Sequence, residues 1–477
     1  MSQSKSQPGW RVAGGRFPGS VLALLVLTTC LLGGCAMLSR PDLTRLYAGS
    51  QAATDQPPVI LIPGIMGSRL ADDRGKEAWV GSTWKLVFSD FNRLALPITG
   101  VVNPPLRTLH PTSLTDKLAG RDFYASITRV LRQAGGYTLA RPGTAVAKGQ
   151  RSYYEFAYDW REDNVHSARK LGELIDQIRI DHDDPDLQVD IIAHSMGGLI
   201  TRYFLRYGGT DVLDGNALER NYSGAGRVRR VALLGTPNLG SVGSLHAFLV
   251  GERVGMGKIS TAALSTFPSV YQLFPHPLNT WVVTADGHPL DLDLFDPALW
   301  RRFNWSIFNP KAKAKLLSQF ADAEEGLAYY QALIRNFDRQ LERARRFVWS
   351  LTVPLERSPW DIRVFGGDCT LTPARIVVEE DRDDWVVRLR PGDIKWPLPG
   401  IDYGKLMLEP GDGKVTKASL LARESLDPAV PRHRYSYFPV DGEMFLCEGH
   451  AQLSTNITFQ DNLLQYLLNR DPVIDTQ

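Results

Sequence analysis

The segment Ala193-His194-Ser195-Met196-Gly197 sets a serine among small residues at the end of an apolar run. A serine hydroxyl is a weak nucleophile until a base takes its proton. A sharp strand-to-helix turn lifts its Oγ clear of the backbone and admits only small residues two before and two after it, where larger ones would collide with the helix that follows. Ala193 stands where glycine is usual, and alanine is the next smallest residue. The strand-like run 189–193 and the largely apolar stretch 198–207 supply the strand and the helix that such a turn requires. A serine in a glycine-rich helix cap is the bland alternative. His194 adjoins the serine and is expected to point away from it. The chemistry implied is acyl transfer, which develops negative charge on a carbonyl oxygen and needs backbone N–H donors aimed at it. Met196, directly after the serine, is one expected donor. Ile65 is the other, because Pro63-Gly64-Ile65-Met66-Gly67 follows an early apolar run and its glycines allow close approach. A plain tight turn is the competing reading of that loop.

A serine of this kind needs a histidine, and the histidine needs a carboxylate to fix its tautomer. Both are expected later in the chain. Beyond residue 360 the histidines are His433 and His450. His433 lies between Arg432 and Arg434, a poor setting for a neutral base. His450, in Glu448-Gly449-His450 ahead of a final apolar stretch, is the expected base. For the acid, Asp412 sits in Gly411-Asp412-Gly413, a turn after Leu406-Met407-Leu408, with Asp368 and Asp441 as competitors.

These residues must be carried by a scaffold. Val59-Ile60-Leu61-Ile62, stopped by Pro63-Gly64, reads as a buried strand. Further strands are expected at 153–158, 189–193, 228–234 and 361–365. A helix is expected over 118–135, with Phe123, Ile127, Val130 and Leu131 on one face, and another over 168–180, with Leu171, Leu174, Ile175 and Ile178 aligned. Helices are also expected over 198–207 and 457–469. Alternating strands and helices imply an α/β fold with a mostly parallel sheet flanked on both faces. Between 241 and 360 strand signals thin out and aromatic residues gather; Leu327, Tyr330, Ile334, Phe337 and Leu341 mark one long helix. The expected organisation is core over 58–240, a helical insertion over 241–360, and core again over 361–477.

Several segments occur in one order: Val59 through Ser68, Tyr158-Asp159-Trp160-Arg161, Ile192 through Gly198, Leu234-Gly235-Thr236-Pro237, Gly411-Asp412 followed by Val415 and Ser419, and Gly449-His450. Together they resemble the lecithin:cholesterol acyltransferase family, which includes lysosomal phospholipase and phospholipid:diacylglycerol acyltransferase. The resemblance runs roughly over 57–470 and is patchy across the insertion. It implies an α/β-hydrolase fold, Ser195, Asp412 and His450 as the catalytic triad, and the N–H groups of Ile65 and Met196 as the oxyanion hole. It also implies a small membrane-binding region after Ser68, in which Trp79 and Trp84 fall, and an insertion acting as cap and lid. Tyr158-Asp159-Trp160-Arg161 is its most specific match; an ion pair and packed Trp supporting the sheet is favoured there over direct catalysis. The early cysteine pair of the animal enzymes is missing, and Ala193 is atypical of them.

The N-terminus bears on location. Lys5, Arg11 and Arg16 precede an apolar stretch, 21–32, too short to span a bilayer, and Leu32-Gly33-Gly34-Cys35 resembles a bacterial lipobox. An exported lipoprotein is expected, lipidated on Cys35 and held at a membrane surface, in the outer membrane or periplasm of a Gram-negative host, with 1–35 as signal and 36–57 as tether. An ordinary signal peptide and an uncleaved anchor are the alternatives. Cys369 and Cys447 remain in the mature chain, where an oxidising compartment permits them to pair. With 54 basic against 52 acidic side chains there is no electrostatic case for nucleic acid. Neither cofactor, metal nor obligate protein partner is called for. The function expected is a lipid-directed serine hydrolase or O-acyltransferase acting on a phospholipid or other lipid ester. The alternatives are an exported general esterase or triacylglycerol lipase, and an inactive lipid-binding surface lipoprotein.

Overall fold

Val59–Ile62 (β1) has no polar side chain and all four residues are buried, as a strand covered on both faces requires. It lies inside a seven-stranded sheet with Thr138–Leu139 (β2), Ser152–Glu155 (β3), Val189–His194 (β4), Val228–Leu234 (β5), Asp361–Gly367 (β6) and Gly442–Leu446 (β7). The spatial order is β7-β6-β5-β4-β1-β3-β2, and every pairing is parallel. The chain therefore passes from β1 to one edge at β2, steps back to β3 beside β1, then crosses to the other side of β1 and builds outward from β4 to β7. The crevice beyond the carboxyl ends of β1 and β4 is the switch point where such sheets place their ligands. The computed structural model describes residues 41–52, 56–79, 91–115, 117–118, 121–122, 124–215, 218, 221–354, 360–381 and 384–469. Cys35 with its signal segment, Phe123 and Trp84 lie outside the described residues.

Strand alternation divides the core in two. Ile60, Ile62, Ile191 and Ala193 enter one cluster, with the helices Asn164–Asp181 (α2) and Met196–Tyr207 (α3). Val59, Leu61, Ile192 and Leu234 enter the other, with Ala125–Gln133 (α1) and a C-terminal helix, Ile457–Leu468. This is the α/β-hydrolase arrangement. α1 is shorter than the expected 118–135 because residues 117–118 pair as a strand with 121–122. α2 starts earlier than its apolar periodicity suggests, because the Asp163 side chain accepts the N–H of Val165 and caps it. The stretch read as a tether is not free throughout: Leu43 packs into the second cluster and Tyr47 donates to Asp461 at 2.8 Å.

The insertion is built on Ala323–Leu351 (α4). Tyr330, Phe337 and Leu341 are buried as the periodicity implied, but Leu327 is 48% exposed, and Phe347 and Val348 extend the buried face instead. α4 packs along the flank of α3: Tyr203 stacks on Phe347 at 5.7 Å, and the Tyr207 hydroxyl donates to the Ser350 carbonyl at 2.8 Å. Phe248, Tyr271, Phe274, Trp300 and Phe337 form its aromatic centre. The insertion is not wholly helical. Val282–Thr284 pairs with Ile376–Asp381, which pairs in turn with Asp384–Arg388. Residues between β6 and β7 thus leave the central sheet again and complete the insertion beyond the boundary expected at 360.

Candidate active site

Ser195 follows β4 with φ 54° and ψ −124°, a conformation that side-chain-bearing residues rarely adopt and that a nucleophile elbow imposes. Its N–H donates to the Leu234 carbonyl at 2.7 Å. The need for small neighbours has a concrete cause. A Cβ on Gly197 would come within 2.6 Å of the Pro63 carbonyl, and one on Gly64 within 2.7 Å of the Ser195 Cβ. The two glycines thus let the nucleophile turn and the chain leaving β1 approach each other, where the sequence pointed to a collision with the following helix. Met196 opens α3, so its N–H is among the helix donors that have no partner within the helix.

The loop carrying Ile65 is held at four points. The Tyr158 hydroxyl donates to the Pro63 carbonyl at 2.9 Å, Trp79 Nε1 to the Met66 carbonyl at 2.9 Å, and Trp160 Nε1 to the Ser68 carbonyl at 3.1 Å. The Gly64 N–H donates to the Tyr124 hydroxyl at 2.8 Å. Among the described residues the N–H of Ile65 donates to no protein acceptor. Tyr158-Asp159-Trp160-Arg161 is therefore a brace. Arg161 grips Asp159 at both carboxylate oxygens (2.9 and 2.5 Å) and donates to the Leu94 carbonyl at 2.8 Å. Trp79 is part of the same brace: it is fully buried, with ring contacts to Phe91 and Trp160. Trp79 falls in the stretch that the resemblance implies binds membrane, but this side chain has no exposed surface to offer one.

His450 and Asp412 meet. His450 Nδ1 lies 2.7 Å from Asp412 Oδ2, and the His450 N–H donates to the Asp412 carbonyl at 2.8 Å. The other carboxylate oxygen accepts the N–H groups of Lys414 (2.9 Å) and Val415 (2.8 Å). Burial pushes the Asp412 pKa up, but His450 and these two N–H donors outweigh it and hold the carboxyl below its ordinary range. Cys369 and Cys447 are bonded, with Cα atoms 4.9 Å apart. The bond ties the chain leaving β6 to the chain leaving β7, three residues ahead of His450. Gly235 has φ 54°, and a Cβ there would lie 2.9 Å from His450 Nδ1 and 3.0 Å from Asp412 Oδ2. His194 is wedged between the loops. Its ring lies 4.7 Å from that of His450, and burial, then the neighbouring His450, push its pKa down to about 3. Its ring nitrogens face the Tyr124 hydroxyl (3.0 Å) and the His450 carbonyl (3.3 Å), so it is not placed to serve Ser195 as a base. Among the described residues Ser195 Oγ makes no hydrogen bond; contacts between nucleophile and base are commonly loose until substrate seats.

The competitors are elsewhere. His433 is exposed and stacks on Tyr435, Asp368 pairs with Lys417 at 3.0 Å, and Asp441 accepts the N–H of Ile362 at the amino end of β6. Phe303 and Trp305 line a cleft of about 590 Å³ together with Trp385, and neither Ser195 nor His450 is in its wall. Phe308 packs edge-on against Phe337 within the aromatic centre. Sequence reasoning missed Tyr124, which has no motif around it, and the role of Gly235, which entered only as part of the Leu234–Pro237 segment. No three His, Cys, Asp or Glu side chains are placed to hold a metal among the described residues, and no helix there is long and apolar enough to cross a membrane.

Set against known proteins, residues 148–359 match the family described as lecithin:cholesterol acyltransferase, so the resemblance read from the motifs is found independently over that stretch. The stretch contains Ser195 and the Tyr158–Arg161 brace; Asp412 and His450 lie beyond it. No curated protein matches the chain. Among solved structures, a chain in the Tle4–Tli4 complex superposes with a TM-score of 0.54 at 15% identity, over 86% of this chain and 98% of that one. The likeness is one of fold. Lipase 1 from Pelosinus fermentans (11% identity, TM-score 0.32, 87% and 100% covered) and EstA from Clostridium botulinum (12%, 0.32, 92% and 93%) are more distant.

Proposed function

We propose that this chain, which matches the lecithin:cholesterol acyltransferase family over residues 148–359 and folds as an α/β-hydrolase, is a lipid-directed serine acyl hydrolase or O-acyltransferase. The observation that carries the proposal is the pairing of Asp412 with His450 at 2.7 Å, beyond the carboxyl ends of the strands like the serine held at φ 54°. In this scheme Asp412 keeps the proton on His450 Nδ1, leaving Nε2 free to take the proton of Ser195 Oγ as it attacks an ester carbonyl. The oxyanion of the tetrahedral intermediate accepts from the N–H groups of Ile65 and Met196. Collapse expels the lysophospholipid or glyceride alcohol, protonated by His450, and leaves an acyl-Ser195. Water then gives the free fatty acid; an alcohol gives a new ester. No cofactor enters.

The same reading places the protein outside the cytoplasm, anchored through lipidated Cys35 and working on the phospholipid or glycerolipid at that surface. The supports are the sequence of the first 35 residues and the bond between Cys369 and Cys447, which fits an oxidising compartment. Replacing Cys35 with Ala is expected to release the protein from membranes or block its maturation; retention at normal mature size would point to another anchor.

The decisive experiment has two arms. A fluorophosphonate probe is expected to label the wild-type chain and not Ser195→Ala; undiminished labelling of that variant would remove the nucleophile assignment. Incubation with defined phospholipid, with and without a sterol or diacylglycerol, then separates hydrolysis from transfer. Release of neither fatty acid nor new ester from any lipid would end the lipid-directed reading.

A further inference from the structure

The buried hydroxyl of Tyr124 and the imidazole of His194 take no chemical step in the scheme above, yet they sit at its centre. Tyr124 is 2% exposed and occupies the position preceding α1. Its oxygen lies 2.8 Å from the Gly64 nitrogen and 3.0 Å from His194 Nδ1. The other ring nitrogen, His194 Nε2, lies 3.3 Å from the His450 carbonyl oxygen. Three contacts thus run in series from the loop after β1, through the start of α1 and the residue before the nucleophile, to the loop after β7.

The direction of this series is fixed from both ends. A backbone N–H only donates, so the Tyr124 oxygen accepts from Gly64. A carbonyl only accepts, so His194 Nε2 carries a hydrogen. A neutral imidazole has one N–H, which makes Nδ1 an acceptor, and the Tyr124 hydroxyl must donate to it. Burial and the nearby His450 keep His194 neutral, with its pKa pushed down to about 3, so this arrangement holds across the working range. Each bond has one donor and one acceptor, and no donor is left over.

We propose that Tyr124 and His194 are positioning residues that fix the oxyanion loop and the base loop at a set separation across Ser195. The proposal rests on the serine-hydrolase reading given above. One end of the series is the residue next to Ile65, whose N–H faces the developing oxyanion in that reading; the other is the carbonyl of the base itself. Acyl transfer needs the donor, the nucleophile and the base in register together, and a shift of about 1 Å in such a set can cost about a hundredfold in rate. Tyr124→Phe leaves the Gly64 N–H and His194 Nδ1 unpaired without emptying the ring's place. His194→Gln offers both an acceptor for Tyr124 and a donor for the His450 carbonyl; His194→Leu offers neither.

The test uses the full chain and reads the rate constant of fluorophosphonate labelling per titratable serine, with kcat and KM on a short-chain ester. Tyr124→Phe and His194→Leu are expected to lower the labelling rate constant and kcat by about ten- to a hundredfold with KM held within about twofold. His194→Gln is expected to recover most of the loss. A purely structural role would reduce the number of labelled sites and leave the rate constant per site unchanged. Per-site rates within twofold of the parent in Tyr124→Phe and His194→Leu, or no rescue by Gln, overturn the proposal. If Tyr124→Phe does not fold, the comparison of Gln with Leu at position 194 decides it. Ser195→Ala in parallel separates the two levels: lost labelling there with unaffected rates in the other variants defeats only the positioning role, whereas surviving labelling defeats the serine reading and this proposal with it.

Discussion

Asp412 shows how one carboxylate is kept charged in a nearly dry place. It is 4% exposed, and burial alone raises its pKa, but two backbone N–H donors and the His450 ring favour the ionised form more strongly. Asp368 and Asp441 are committed to Lys417 and to the Ile362 N–H. Asp412→Asn is accordingly expected to lower kcat about 10³- to 10⁴-fold by allowing the wrong imidazole tautomer. The same change at Asp368 or Asp441 is expected to alter activity by much less, and steady-state kinetics on all three variants would reassign the role if a competitor lost more. Gly235 offers a second check. A methyl group there would press on both members of the Asp412–His450 pair, within about 3 Å of each, and would also occupy a positive φ. Gly235→Ala is expected to lose activity on the order of a hundredfold or more while retaining a cooperative thermal transition.

At the scale of elements, the site depends on loops tied to one another rather than on the strands alone. The brace from Tyr158 to Arg161 grips the loop that carries Ile65, and its Asp159–Arg161 pair is almost wholly buried. Removing one partner of such a pair leaves a buried charge alone, so Arg161→Met is expected to destabilise the fold by about 3–5 kcal/mol, measurable in urea unfolding. The bond between Cys369 and Cys447 spans 78 positions. A loop of that length corresponds to about 4.5 kcal/mol in the chain-entropy account. Both cysteines are exposed, so a mild thiol reductant is expected to lower the melting temperature and, through the adjacent His450 loop, kcat. Unchanged activity after verified reduction would show that the β7 loop holds its place unaided. The Tyr158–Arg161 run was legible in the sequence as a supporting feature, because a charged pair flanking a Trp has few other uses in a core. Its target was not legible, since the carbonyls of Pro63 and Ser68 look like any others.

The whole molecule carries two further expectations. His194 and His276 are both buried and their pKa values are pushed down, by burial first, to about 3 each. The unfolded chain takes up these protons near pH 6.5 and the folded chain does not, so between about 3 and 6.5 the unfolded state binds more protons. Stability is complete above that window and falls as pH drops through it, by roughly 2.5 kcal/mol per histidine by pH 4.5. Thermal unfolding from pH 7 to 4.5 reads the slope, and His276→Gln should flatten it; an unaltered slope would place the acid sensitivity elsewhere. The insertion carries the second expectation. A soluble ester needs no large cap, and closure over Ser195 would exclude water and strengthen the oxyanion contacts. Higher turnover on phospholipid vesicles or micelles than on monomeric short-chain esters is expected; the reverse preference would favour a general esterase. Deleting the insertion is a poor test of this, because α4 stacks directly on α3, and its removal would strip the helix that carries Met196.

The sequence alone determined what depends on local pattern. The run Val59–Ile62 is apolar throughout, and Val189–Ala193 is apolar but for Asp190, because both faces of their sheet are covered; the glycines around Ser195 mark where a Cβ has no room. The positions of His450 and Asp412 could be ranked because chain order and loop context limit the choices. Contacts between segments far apart in the chain were decided only by the tertiary structure. Tyr124 meets His194 across 70 positions and Trp79 turns inward, although the segment around each looks like many others. The pairing of Val282–Thr284 with Ile376–Asp381 likewise joins pieces that composition had assigned to different regions. A residue's type fixes which hydrogen bonds it can make; only packing fixes which partner arrives to make them.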